Sequence, residues 1–204
     1  MWLNTLSAFL STFSAAFLLL IAMFVVVSGN VKLGGKRVGI VGLGNIGSKV
    51  ATMLEAFGCI ISYYSRKKKP SFSYTFHPSV RDLAAHCDVL VVCCALSSET
   101  HHIVDGDVME ALGKEGIIIN VGRGAVVDER EMVRRLKQSK LGGAGLDVFE
   151  DEPVVSSELF SMDNVVLSPH AAVFTDVSFV DQVQLVVDNL EAFFSNKPLL
   201  TRVN

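Results

Sequence analysis

Apolar positions fall into distinct regimes along the 204-residue chain. Residues 1–31 carry no charged side chain, and 6–27 are apolar or small throughout, most densely at 17–27. That run has about the length that crosses a bilayer. Lys32, Lys36 and Arg37 follow, and under the positive-inside rule they would hold the rest of the chain in the cytoplasm. A secretory signal fits less well, because no Lys or Arg precedes the run and no small-x-small cleavage site follows it. The run also reads as a fragment of a buried helix, or as a start foreign to the natural product.

From residue 31 onward, short apolar runs alternate with stretches of helical period. Val38, Ile40 and Val41 predict a buried strand, and Ile46, Val50, Met53, Leu54 and Phe57 a helix. A second strand is expected at 59–64, then a polar, basic loop over 65–78 and a helix over 79–86 capped by Ser79. A buried strand follows at 88–94, a helix at 105–112 opened by Asp105, and a strand at 116–120. Asp128 and Glu131 read as a capping box for a helix over 128–139. Strands are expected at 145–149 and 165–167. A long amphipathic helix is expected over 175–194, with Val177, Val180, Val183, Val187, Leu190 and Phe194 near helical spacing. Strands alternating with helices imply an α/β fold, a Rossmann-type doubly wound parallel sheet.

The first predicted strand runs into Gly42, Gly44 and Gly47, a G-x-G-x-x-G turn that opens the first helix. Strand, glycine turn and helix form the setting in which this pattern marks a dinucleotide site. Gly42 permits the tight turn, Gly44 lets backbone approach a pyrophosphate, and Gly47 lets helix and strand pack closely. The helix start, with Asn45 and Ile46, offers N–H groups to the phosphates. An acidic residue near the end of the second strand would accept from a ribose 2′-OH. Here that position holds Ser65, followed by Arg66, Lys67, Lys68 and Lys69. Ser65 can donate to a 2′-phosphate, Arg66 can fork onto it and Lys67 can add charge, so NADPH is preferred over NADH.

Net charge is −3 and pI about 5.9, which excludes the basic footprint of a nucleic-acid binder. Cys59, Cys87, Cys93 and Cys94 sit in or beside strand-like runs without a C-x-x-C pair, and read as buried, reduced thiols. No His/Cys/Asp group shows metal-ligand spacing in the sequence. His101 and His102 carry no assigned role.

Three later segments add chemistry: Asn120-Val-Gly-Arg-Gly-Ala125, Gly145-Leu-Asp-Val-Phe-Glu-Asp-Glu-Pro153 and Leu167-Ser-Pro-His-Ala-Ala172. With VGLGNIG and the run from Val92 to Thr100, they resemble the D-isomer-specific 2-hydroxyacid dehydrogenase family, in particular its plant-type hydroxypyruvate, glyoxylate and hydroxyphenylpyruvate reductases. The resemblance covers about residues 31–204. It implies that Arg123 anchors the carboxylate of a small 2-oxo acid, that His170 is the acid and that Glu152 orients it. The family's glutamate directly precedes a proline, which selects Glu152 over Glu150. It places Asp147 near the nicotinamide, and Ala95, Leu96, Thr100, Val121, Gly122 and Ala172 among the coenzyme contacts. Hydride transfer there needs no metal.

The apolar run sets residues 1–30 apart as an apolar helix, and the resemblance implies 31–174 as the coenzyme-binding domain and 175–204 as a helix and tail left from a substrate domain. It implies a cytosolic enzyme that dimerises through the coenzyme domain. Phe174, between the histidine and Thr175, is bulkier than the family's usual residue. Members carry about a hundred residues ahead of the coenzyme domain, where this chain has residues 1–30, unlike anything in the family. One wall of the substrate cleft is therefore expected to be missing and turnover by the chain alone to be weak, because positioning and water exclusion carry much of catalysis. Two readings follow: an NADPH-dependent 2-oxo acid reductase, or an NADPH-binding module without turnover, tethered to a membrane or paired with full-length relatives.

Overall fold

In the computed structural model, residues 33–171 and 176–201 are described. Seven parallel strands form one sheet in the order β3-β2-β1-β4-β5-β6-β7. They are β1 (Arg37–Val41), β2 (Ile60–Tyr64), β3 (Thr75–Phe76), β4 (Val89–Val92), β5 (Ile117–Asn120), β6 (Gly143–Leu146) and β7 (Val165–Leu167). The helices are α1 (Asn45–Ala56), α2 (Val80–Ala85), α3 (Gly106–Leu112), α4 (Glu129–Lys137) and α5 (Asp176–Phe194). The doubly wound architecture expected from the alternation of runs is present. The order reverses between β1 and β4, and in such sheets ligands bind beyond the carboxyl ends of the strands at that switch point.

Strand alternation divides the core. Leu90 and Val92 of β4 join Leu83, Met109, Ile118 and Met132 on one face, whereas Val89 and Val91 join Ile40, Val50, Leu54 and Ile119 on the other. Both faces are apolar because parallel strands carry helices on both sides. Gly39 is required in β1, since a Cβ there would lie 2.9 Å from Cys87 Sγ and Leu83 Cγ.

Local signals set the helix starts. Ser79 accepts from Asp82 N, Asp105 from Val108 N and Asp128 from Glu131 N, each satisfying an N-terminal donor. The capping box at α4 is only half formed. Glu131 does not reach back to Asp128 N, which donates to Val104 O. Its carboxylate instead takes Arg134 and Arg135 at 2.6 Å. The Arg134 hydrogen bond, and then that from Arg135, outweigh burial and hold Glu131 down to about 2.

Three expectations shift. The polar loop after β2 contains the two-residue edge strand β3, paired through Ser62 and Tyr63. β6 begins two residues early and ends at Leu146, because its register follows β5. In α5, Val180, Val183, Val187, Leu190 and Phe194 are exposed among the described residues, so its apolar stripe does not pack on the sheet. The apolar run 6–27, the helix start at Thr175, and Phe174 lie outside the described residues. Among the described residues no helix is long and apolar enough to cross a membrane. All four cysteines are free; Cys59 and Cys87 are buried, and Cys93 and Cys94 only half-buried. Burial pushes the Cys87 thiol up to about 12 and that of Cys94 to about 11.

Candidate active site

The residues singled out from sequence gather along one edge, where the strands end. β1 runs into Gly42, which adopts φ +97° and donates to Tyr64 O at 2.9 Å. A Cβ at Gly42 would lie 2.7 Å from Cys94 backbone, and one at Gly47 would lie 2.1 Å from Gly42 O. Both positions therefore exclude any other residue. A Cβ at Gly44 would meet nothing within 4 Å, so the space above it is open. Gly44 opens α1 with no side-chain cap and no acid in the first turn, and Asn45 beside it is exposed. An uncapped helix start facing open space fits a pyrophosphate. Ile46 is half-buried behind it.

At the end of β2, the Ser65 hydroxyl donates to Lys67 O at 2.6 Å and shapes the basic turn. Arg66 and Lys67 are exposed. After β4, the Thr100 hydroxyl donates to Ala95 O at 2.7 Å and accepts from Ser97 N at 2.8 Å, which folds the segment containing Leu96 back on itself.

Asn120 closes β5 and builds the next turn. Its buried side chain accepts from Gly122 N at 3.1 Å and donates to Arg123 O at 3.0 Å. Val121 and Gly122 are buried, and a Cβ at Gly122 would meet Cys94 O at 2.8 Å. The backbone is thereby turned so that Arg123 is exposed at the edge, with Nη1 donating to Gly122 O. Sequence reasoning missed Asn120. Its signal was a polar residue ending the apolar run Ile117-Ile-Ile119.

His170 follows β7 at φ +53°, and its Nδ1 lies 2.8 Å from Glu152 Oε2. Glu152 Oε1 accepts from Phe149 N at 3.0 Å. Burial is the largest influence on Glu152 and opposes its charge, but His170, the Phe149 N–H and the Arg123 charge together hold its carboxyl below the usual range. Of these influences the Arg123 charge is the smallest. Asp147 directly follows β6, is 2% exposed and accepts from Ala171 N at 3.0 Å, so it braces the histidine loop from beneath. Glu150 pairs elsewhere, with His102 Nε2 at 2.6 Å. Ala172 lies outside the described residues.

Residues 27–172 match the family model for the D-isomer specific 2-hydroxyacid dehydrogenase, NAD binding domain. A glyoxylate/hydroxypyruvate reductase of Arabidopsis thaliana is 59% identical over 172 residues, 84% of this chain and 53% of that protein. The hydroxyphenylpyruvate reductase of Plectranthus scutellarioides is 55% identical over 84% of this chain and 55% of its own length. An NADPH-dependent glyoxylate/hydroxypyruvate reductase from Sinorhizobium meliloti, in complex with NADP and malonate, aligns with TM-score 0.81 at 44% identity, covering 83% of this chain and 53% of that one. This chain spans about half the length of the curated relatives it matches.

Proposed function

The chain belongs to the D-isomer-specific 2-hydroxyacid dehydrogenase family, and from that premise we propose that it binds NADPH and reduces a small 2-oxo acid to the D-2-hydroxy acid. The observation that carries the reading is the His170–Glu152 pair, 2.8 Å apart, after the last strands of the sheet whose first strand runs into the glycine turn. Hydroxypyruvate, glyoxylate and hydroxyphenylpyruvate are the substrates suggested by the named relatives. Ser65, Arg66 and Lys67 would hold the 2′-phosphate, with no carboxylate there to repel it.

The bound coenzyme supplies the hydride. The Arg123 guanidinium takes the substrate carboxylate and draws the keto oxygen toward the site. Glu152 fixes the ring of His170 through Nδ1, which leaves Nε2 to meet the substrate. As hydride reaches the keto carbon, charge develops on its oxygen and the Nε2 proton moves there. The imidazole then stays bound to Glu152 until solvent returns the proton. Glu152 acts by holding the ring in place.

A coenzyme-binding module without turnover is the second reading, favoured by the exposure of the His170 and Glu152 side chains, 43% and 36%. NADPH oxidation in the presence of hydroxypyruvate decides between them. Arg123→Ala should lower kcat/KM by roughly 100-fold, as expected for removing a charge-assisted contact, with NADPH affinity retained. Equal turnover in that variant would refute the anchor, and no oxidation by the unaltered chain would leave the binding module. Ser65→Asp should shift preference toward NADH by at least about tenfold, and an unchanged ratio would refute the 2′-phosphate reading.

A further inference from the structure

The sequence shows no metal-ligand spacing, yet the fold gathers two groups of three ligating side chains among the described residues. One is His101, His102 and Glu150. There His101 is exposed, and both Glu150 oxygens are already engaged by His102 and Glu129 N. The other lies where β3 meets α2. His77, Asp82 and His86 bring their ligating atoms within 4.8 Å of one another.

The backbone of this second group is fixed independently of any ion. His77 N donates to Tyr63 O at 2.9 Å and extends the pairing of β3, while Ser79 caps Asp82 N at 3.1 Å. Val80, Leu83 and Ala84 bury one side of α2. Asp82 and His86, four residues apart, therefore share its outer side. The buried His77 ring places Nδ1 2.7 Å from Asp82 Oδ2, and His86 Nδ1 lies 2.8 Å from the Asp82 backbone oxygen and 3.7 Å from Asp82 Oδ1. The two rings face each other at 5.1 Å between centroids.

We propose that His77, Asp82 and His86 form a binding site for a divalent cation of the zinc class. Ligands at about 2.1 Å around a tetrahedral ion stand ~3.4 Å apart. The two measured separations, 2.7 and 3.7 Å, bracket that value. Closure falls to the exposed His86 ring and the partly exposed Asp82 carboxylate. Two imidazoles with one carboxylate suit zinc, cobalt, nickel or copper rather than magnesium or calcium. The ion takes the Nδ1 lone pairs of His77 and His86, and each neutral ring then carries its proton on Nε2. Three protein ligands leave a position for water. Occupancy clips the two-residue edge strand β3 to α2, beside the end of β2 that leads into the Ser65 turn.

Cobalt(II) added alone to the full chain is the probe, read by its visible d–d absorption and by displacement with zinc. One equivalent should bind and raise the Tm. His86→Gln and Asp82→Asn, with unchanged far-UV circular dichroism, should each weaken binding at least about tenfold. His101→Gln should leave it intact. No cobalt band, a band that survives both His86→Gln and Asp82→Asn, or one lost only with His101→Gln would overturn the site.

Discussion

Glu150 and Glu152 stand two residues apart in one turn, and each holds a histidine. Glu150 meets His102 Nε2 at 2.6 Å, and Glu152 meets His170 Nδ1 at 2.8 Å. Both histidines adopt positive φ, +51° and +53°. Pair distance, residue type and backbone strain therefore do not separate them, although strained residues concentrate at functional sites. Their surroundings do. The Glu150 carboxylate accepts from Glu129 N at 3.4 Å and the Glu129 carboxylate from Glu150 N at 3.0 Å, which fastens the turn to the start of α4. His102 N donates to Ala125 O, so that ring belongs to a closed brace between loops. His170 instead follows the last strand at the open edge, and among the described residues its partner carboxylate takes only one further hydrogen bond, from Phe149 N. On the proposed function, a histidine–carboxylate pair would serve as an acid through its place at an open edge, not by being a pair.

The comparison can be sharpened by substitutions of decreasing effect. His170→Gln should lower kcat for 2-oxo acid reduction by about 10²–10⁴-fold, the usual worth of a general acid, without weakening NADPH binding. Glu152→Gln should keep the ring in place but lose the charge, at about tenfold in kcat. His102→Gln should leave kcat within about threefold and instead lower Tm by about 2–4 °C, the loss of one hydrogen bond in a domain of this size. The smallest effect is in acid. Because the Glu152 carboxyl is held below its ordinary value of 4.5, its contribution to stability is full above that pH and is lost as pH falls through the lowered value. Glu152→Gln should therefore flatten part of the acid-side fall in Tm, while Tm near neutrality drops only slightly.

Much of this was legible from residues alone, because the signals were local. The glycine turn, the caps Ser79, Asp105 and Asp128, and the apolar strands of the sheet all depend on neighbours in sequence. What escaped depends on packing between distant segments. β3 is two residues long and exists only because Tyr63 offers it a partner. Glu131 could have capped α4 in both directions, but Arg134 and Arg135 compete for its oxygens. Asn120 looked like a strand end until its side chain was seen to turn the backbone toward Arg123. His77 is separated from Asp82 and His86 by a proline, a cap and the start of a helix, and the bend at Pro78 and Ser79 brings them together. The α5 stripe was read correctly as amphipathic, but periodicity does not say what covers it.

The most direct measurement is single-turnover oxidation of stoichiometric NADPH by hydroxypyruvate, followed by nicotinamide absorbance, in the unaltered chain, His170→Gln and His102→Gln. The account predicts oxidation by the unaltered chain and by His102→Gln at similar rates, with His170→Gln slower by about 10²-fold or more. Equal slowing in both variants, slowing only in His102→Gln, or no oxidation by any of the three would contradict it.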